Sequence, residues 1–187
     1  MEELGLGEGI GDLVAECREG QDVWLHVPAR SSLRVMLLRE RPVFYWQHFT
    51  ASGPVFCESK RDRNGALVDA SACPLCRGEI GAKKKYVYTV SDMARGSGHL
   101  LDVSPATALD IESTVNQTGV ALGMVFDLRK EGGVSNGRIR AKWSGTFINE
   151  KELPEGPDVL HVFRKMRLEQ RSTDIWKACA QRRAERV

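Results

Sequence analysis

Alternating apolar and polar positions predict that most of this chain folds as β-strands. Leu33, Val35 and Leu37 occupy every second position of a run that ends at Leu38, which is typical of a strand with one buried face. Further strands are predicted where β-branched and aromatic residues concentrate, at 22–26, 43–49, 83–90, 98–103, 120–128 and 138–147. Ser104 as N-cap and Pro105 at the first helical position predict a helix over 106–116. The pattern therefore predicts a mainly β fold with a few helices.

The strand predicted at 138–147 has two faces of opposite character. A glycine-rich turn at 132–137 precedes it and predicts a hairpin with the strand at 120–128. Arg138, Arg140 and Lys142 fall on one face of this strand, and apolar residues alternate with them. We therefore expect an antiparallel strand with a cationic outer surface.

Residues 48–76 contain one histidine and three cysteines, namely His48, Cys57, Cys73 and Cys76. The Cys73-x-x-Cys76 spacing lets both thiolates reach one metal ion, and His48 with Cys57 completes a tetrahedral ligand set typical of zinc. His99 is the next candidate for the fourth ligand, and His26 is a weaker one. Because three thiolates and one imidazole fill a four-coordinate shell, we expect one structural Zn²⁺ rather than a catalytic one.

A zinc ion would also explain how the polar stretch at 50–82 is ordered, since a structureless loop of that length is uncommon in a compact domain. The alternative use of Cys73 and Cys76 is a thioredoxin-like redox pair. That interpretation needs the pair to begin a helix after a strand in a βαβ pattern, whereas here it follows a polar stretch with further ligands nearby. The metal site is therefore the preferred interpretation.

Charge is distributed unevenly over the 187 residues, although the net charge is only +2. Residues 1–22 carry seven acidic side chains and one basic one, and residues 164–187 carry eight basic and three acidic ones. We therefore predict an acidic N-terminal segment at 1–22, a core domain at 23–158 with a zinc subdomain at about 48–82, and a basic C-terminal helix at 159–187. A basic segment favours a polyanionic partner.

Other classes of protein are disfavoured by the sequence. It has no run of eighteen apolar residues and no basic start followed by an apolar stretch, so we expect a cytoplasmic protein without a membrane partner. We find no constellation of nucleophile and base, no phosphate-binding loop and no metal-binding carboxylate set. The chain is therefore predicted not to be an enzyme.

Short strands around one helix, with aromatic residues beside lysines and arginines, are typical of a small β-barrel that stacks bases and neutralises phosphates. Tyr86 or Tyr88 is expected to stack on a base, directly after the basic run Lys83, Lys84 and Lys85. Arg34 and Trp46 are also expected at the nucleic-acid surface. Single-stranded DNA is the favoured partner; the alternatives are single-stranded RNA and a zinc-stabilised adaptor that binds another protein.

Over roughly residues 30–150, the chain resembles the zinc-containing single-stranded-DNA-binding proteins of T-even phages. The likeness lies in the order of His48, Cys57 and Cys73-Pro74-x-Cys76, followed by a lysine-rich stretch and an aromatic strand. It extends to the basic strand that ends in Ser144-Gly145-x-Phe147-x-Asn149.

The resemblance implies an OB-fold with a zinc subdomain, whose four zinc ligands are His48, Cys57, Cys73 and Cys76. It also implies contacts to single-stranded DNA from Tyr86 and from the strand at 138–142, with Lys83, Lys84 and Lys85 lining the cleft. A role in replication, recombination or repair, contact with replication or recombination proteins, and self-association along the strand follow as expectations. The family has a basic N-terminal arm and an acidic C-terminal tail, whereas the terminal charges here are reversed.

Overall fold

The computed structural model describes residues 2–3, 23–29, 31–50, 53–62, 64–78, 80–131 and 138–172. The strands are β1 Glu2–Glu3, β2 Ser32–Leu37, β3 Val43–Thr50, β4 Gly53–Phe56, β5 Lys60–Arg61, β6 Leu67–Asp69, β7 Ala82–Asp92, β8 Ser97–Val103, β9 Met124–Glu131 and β10 Arg138–Phe147. The helices are α1 Pro74–Arg77, α2 Pro105–Thr118 and α3 Val159–Ser172, with a 3₁₀ turn at Glu150–Glu152. The predicted mainly β class with a C-terminal helix is confirmed.

The chain divides into two compact units, and each is described separately. The first unit consists of residues 1–43 and 86–157, and the second of residues 44–85 and 158–187. The boundary between them falls within β7, between Lys85 and Tyr86. The second unit therefore combines the segment that contains the predicted metal ligands with the C-terminal segment.

Antiparallel pairing orders the strands of the first unit as β8, β7, β2, β9 and β10. β2 is the middle strand, where Val35 lies opposite Asp92 of β7 on one side and Phe126 of β9 on the other. α2 follows β8 in the chain, as predicted. Five strands with one inserted helix match the predicted OB-type arrangement. No pairing of the described strands joins β8 to β10, so closure of the barrel remains a prediction.

The core of the first unit is formed by the inward faces of these strands and by α2. Its most deeply buried side chains are Val35, Leu37, Val90, Leu101, Val103, Ile111, Met124, Phe126 and Leu128. α2 begins as predicted, because Ser104 Oγ accepts a hydrogen bond from the Thr107 amide at 3.3 Å and Pro105 occupies the first turn. It ends at Gly119, whose φ of 72° suits the left-handed conformation of a C-cap.

The second unit is built around two hairpins and two helices. β3 pairs with β4, and β5 with β6. An aromatic cluster packs β3 and β4 against α3, with ring centroids 5.0 Å apart for Tyr45 and Phe56 and 5.2 Å apart for Phe56 and Phe163. Tyr45 and Phe56 are both buried in this cluster.

Two predictions about elements need correction. The strand predicted at 22–26 is reduced, in the described residues, to an isolated bridge between Trp24 and Leu100. The stretch 50–82, interpreted as a polar loop, contains β4, β5, β6 and α1. Its short strands were missed because turns interrupt them before any alternation becomes visible.

Candidate metal centre

Four metal-binding side chains meet in the second unit. His48 lies on β3, Cys57 directly follows β4, and Cys73 and Cys76 lie at the start of α1 and within it. Pairing of β3 with β4 brings the first two together, because the Cys57 amide donates to the Trp46 carbonyl at 2.8 Å, two residues from His48. One donor atom from each of the four residues lies within 4.8 Å of the other three.

The distances between these donor atoms fit a single tetrahedral ion. His48 Nε2 lies 3.3 Å from Cys73 Sγ and 3.5 Å from Cys76 Sγ, and the sulfurs of Cys57 and Cys76 are 3.4 Å apart. With metal bonds of zinc length, tetrahedral ligand atoms stand roughly 3.5–3.8 Å apart. His48 and Cys73 are completely buried, so water has little access to the centre. The four side chains could therefore hold one metal ion.

The backbone around α1 presents the two sulfurs of the Cys-x-x-Cys segment to the same point. Cys73 has extended backbone angles and Pro74 takes the first helical position. The turn is closed by the Arg77 amide, which donates to the Cys73 carbonyl at 3.2 Å, and by the Gly78 amide, which donates to the Pro74 carbonyl at 3.1 Å. This tight turn fixes the spacing that two thiolates need to share an ion.

A second hydrogen bond orients His48. Its Nδ1 lies 3.2 Å from the carbonyl oxygen of Gly81. Because a carbonyl only accepts, Nδ1 carries the proton in this contact, and the unprotonated Nε2 is directed at the sulfurs. Metal-binding histidines are commonly held by such a backbone acceptor.

Hydrogen bonding within the cluster separates the thiol pKa values. A hydrogen bond from Cys73 lowers the pKa of Cys57 to about 7, and the same bond, together with burial, raises the pKa of Cys73. The Cys57 thiolate, which is the form that binds metal, is therefore accessible near neutral pH.

Arg61 supports the centre from outside the four ligands. Its Nη2 donates to Cys76 Sγ at 3.6 Å and its Nη1 donates to the Gly65 carbonyl at 2.9 Å. The guanidinium lies 4.5 Å from the ring centroid of Trp46. Gly65, at a φ of 86°, packs so closely on this indole that a Cβ there would lie 2.5 Å from it. The β5–β6 hairpin thus brings a positive charge to a cysteine sulfur.

The alternative interpretation, a redox pair of Cys73 and Cys76, fits this geometry less well. Both are free thiols that share one buried cluster with Cys57 and His48. A redox pair also needs neither a third cysteine nor a buried imidazole. His99, the other candidate ligand, lies in the first unit with its Nε2 2.7 Å from Ser97 Oγ.

The predicted cationic surface of β10 is present but carries its own counter-charges. Arg138, Arg140 and Lys142 are exposed while Ile139, Ala141 and Trp143 pack on the core, which matches the predicted alternation. The ion pairs on this side are Arg34 Nε to Asp127 Oδ1 at 2.7 Å, Arg138 Nη2 to Asp110 Oδ2 at 3.2 Å, Arg140 Nη1 to Asp110 Oδ2 at 3.5 Å and Arg140 Nε to Glu131 Oε2 at 3.1 Å. Phosphates would have to compete with these carboxylates.

An open polar groove of about 860 Å³ lies among these groups. Its charged lining consists of four cationic and three acidic side chains, namely Arg34, Arg129, Arg140, Lys142, Asp110, Asp127 and Glu131. The groove therefore offers phosphate-binding groups, and its positive charge is partly neutralised within the protein.

The other predicted contact residues lie on β3 and β7. Lys84 Nζ lies 4.0 Å from the ring centroid of Phe44, and Lys83 Nζ lies 5.6 Å from that of Phe49. Lys85 and Tyr86 are half-buried, and Tyr86 packs against the core of the first unit. Trp46 is half-buried beside the metal centre, and Arg61 lies over its ring.

The prediction that Tyr88 could stack on a base is wrong, because its side chain is buried. Its side chain is 3% exposed within the core, where its hydroxyl donates to Glu112 Oε1 at 3.1 Å. Burial and this carboxylate raise its pKa above the ordinary value. Of the two candidate tyrosines, only Tyr86 retains part of its surface.

Two residues with a place in this site were not identified from the sequence. Arg61 has no distinguishing motif, because its approach to Cys76 depends on how the β5–β6 hairpin folds back. Phe49 is 53% exposed at the end of the predicted strand 43–49. Strand alternation gives no signal for this exposure, because Tyr45 and Gln47 on the same face are buried.

Within the described part of the chain, no helix is both long enough and apolar enough to cross a membrane.

Comparison with protein-family models, with curated proteins and with solved structures finds no match to this chain.

Proposed function

We propose that this protein binds single-stranded DNA without sequence preference, as an OB-type domain that carries one structural zinc ion. The observation that carries the proposal is the outer face of β10. There, Arg138, Arg140 and Lys142 point away from the core beside an open groove. A positive groove that follows the backbone, combined with aromatic stacking, is how proteins bind single strands independently of sequence.

On binding, phosphates of the strand would replace carboxylate side chains as the ion-pair partners of the arginines in this groove. The phosphates of an incoming strand compete with Asp110, Asp127 and Glu131 for the arginines. Exposed ion pairs of this kind contribute only about 0–1 kcal/mol each, so the exchange is accessible. Duplex DNA would bind less well, because its bases are already stacked and cannot reach aromatic side chains.

The zinc ion would be held by His48, Cys57, Cys73 and Cys76. Such an ion crosslinks the segments that supply its ligands. The set leaves no fourth position for water, which favours a structural role. Cysteine ligands need a reducing compartment, and we therefore propose the cytoplasm. We further propose that the protein acts in DNA replication, recombination or repair, and that its copies associate with one another along the bound strand.

The test is fluorescence anisotropy of a labelled thymidine oligonucleotide titrated with the protein at fixed salt. Unlabelled single-stranded DNA, duplex DNA and RNA serve as competitors. We expect displacement by single-stranded DNA and little displacement by duplex. Equal displacement by RNA would assign the protein to single strands in general, since stacking and phosphate contacts do not sense the 2′-hydroxyl. Absence of binding at low salt would refute the proposal.

One observation favours a second candidate, a zinc-stabilised module that binds another protein. Leu67 and Val68 on β6, in the hairpin beside the metal ligands, are 44% and 67% exposed. Exposed apolar surface of this kind is common at protein interfaces. This candidate becomes the leading one if the oligonucleotide titration fails.

A further inference from the structure

We infer that Phe49 and Lys83 form a nucleotide-binding site on the second unit, where a base stacks on the phenyl ring and its phosphate pairs with the ammonium group. The inference rests on the proposed function and adds a specific stacking residue to it. Phe49 is an exposed aromatic residue within the second unit.

Phe49 is exposed near the end of β3, on the strand face opposite to the fully buried His48. Tyr45 and Gln47 share this face earlier in the strand and are buried, so the exposure begins only at Phe49. Pairing with β4 places Phe49 opposite Pro54, which is also exposed. The ring is therefore held in solvent by a strand whose orientation is fixed at the metal centre.

Lys83 is brought to this ring by the same centre. His48 Nδ1 binds the carbonyl of Gly81, two residues before Lys83. Lys83 is exposed, and its Nζ lies 5.6 Å from the Phe49 ring centroid, within the range of a cation–π contact. One hydrogen bond at a metal ligand thus connects the strand that carries the aromatic residue to the strand that carries the cation.

An aromatic ring beside a lysine matches the chemistry of a nucleotide. Every base has a π-face that stacks on an aromatic side chain, and the adjacent phosphate attracts an ammonium group. The contact of Lys83 with the ring is weak at an exposed site, so the ammonium group can move to a phosphate while the base covers the ring. The site takes any base, which agrees with binding independent of sequence.

The test compares Phe49→Leu with the unchanged protein in anisotropy titrations of a thymidine oligonucleotide. Leucine keeps an apolar side chain on the strand but removes the π-face. We expect a loss of affinity of about 5- to 150-fold, the range that corresponds to one stacked base. Phe49→Trp should retain the affinity. Lys83→Gln should make the slope of log K against log salt shallower by about 0.7, the value for one phosphate contact on a single strand.

Two controls separate stacking from other effects. Val68→Ala alters another exposed apolar residue of the same unit and should leave the affinity unchanged. An oligonucleotide with abasic sugars should bind Phe49→Leu and the unchanged protein equally, because it has no base to stack. If the unchanged protein binds the thymidine oligonucleotide and the affinity of Phe49→Leu stays within twofold of its affinity, this inference is wrong and the proposed function stands. If the unchanged protein binds no oligonucleotide, both fail.

Discussion

Cys73 is the most deeply placed of the candidate sulfur ligands, and its replacement tests the metal centre directly. It is completely buried, 3.3 Å from His48 Nε2. Cys73→Ser should lower the metal content, measured by mass spectrometry of the purified protein, to well below one ion per chain. Cys17→Ser, at a cysteine that is not one of the four predicted ligands, should keep the full content. Full occupancy in Cys73→Ser would show that the cluster does not hold the ion.

Arg61 should slow the loss of the metal, because its charge offsets the net negative charge of an ion bound by three thiolates. Its Nη2 donates to Cys76 Sγ at 3.6 Å. Outer partners of this kind typically change metal affinity by about 10- to 100-fold. We expect Arg61→Gln to release the metal faster to a chromophoric chelator, followed by absorbance.

The matched control for Arg61 is Arg77→Gln, which removes the same charge from the residue directly after Cys76. Arg77 is exposed at the end of α1, and no hydrogen bond from its guanidinium to a cysteine is found in the described residues. Release from this variant should match that of the unchanged protein. Equal release rates for both variants would mean that the contact of Arg61 with Cys76 does not retain the metal.

Cys57 should make metal affinity depend on pH in a defined way. Its pKa is lowered to about 7 by the hydrogen bond from Cys73. Above that pH the metal-free protein already holds a thiolate there, whereas below it binding must also release the Cys57 proton. Apparent affinity should therefore fall more steeply with decreasing pH below about pH 7 than above it. Competition with a chelator from pH 6 to 8 measures this, and a constant slope would contradict the assignment.

At the scale of elements, the packing of α2 beside β10 sets how freely the cationic face can bind phosphate. Asp110 on α2 accepts hydrogen bonds from both Arg138 and Arg140. Asp110→Asn keeps the shape of the side chain and removes the competing charge. We expect affinity for a thymidine oligonucleotide to rise and its salt dependence to steepen, by a slope of up to about 0.7 for each additional phosphate that the arginines bind.

Glu155→Gln serves as the control for Asp110, since it removes one negative charge from a residue that makes none of these ion pairs. Exposed ion pairs contribute about 0–1 kcal/mol each, so Asp110→Asn should remain folded. If both variants raised the affinity by the same amount, the effect of Asp110 would come from the net charge of the protein and not from its ion pairs with the arginines.

The elements that could be predicted are those with local signals. Two such elements are β10, where arginine and apolar residues alternate, and α2, which Ser104 caps. Both signals depend on residues that are close together in the sequence. The ligand set was predictable because Cys-x-x-Cys is a short spacing. The ion pairs were not, because Arg34 and Asp127 lie 93 positions apart and meet only through the register of β2 with β9. Tyr88 was misplaced because alternation identifies two faces without telling which one is inward.

At the scale of the whole molecule, the two units draw their stability from different sources. The first unit has an extended apolar core, with Val35, Phe126 and Leu128 among its members. Among the described residues of the second unit, the buried cluster around the metal ligands contains Val55 and Leu75 besides the three cysteines, with Trp46, Ala70 and Ala82 packed against it. This cluster buries little apolar surface, so we expect a bound metal to supply much of the stability around the four ligands.

Removal of the metal should therefore loosen one part of the chain and leave the other intact. We expect a chelator to increase amide hydrogen exchange within residues 53–78, because structural zinc contributes about 10–16 kcal/mol in small peptides at neutral pH. Exchange in β9 should not change, since β9 pairs with β2 and β10 and its Phe126 and Leu128 side chains lie in the core of the first unit. Mass spectrometry of exchanged peptides measures both regions in one sample, and added zinc should restore protection. Loss of protection in both regions would mean that the metal stabilises the whole chain, and no change in either would mean that residues 53–78 fold without it.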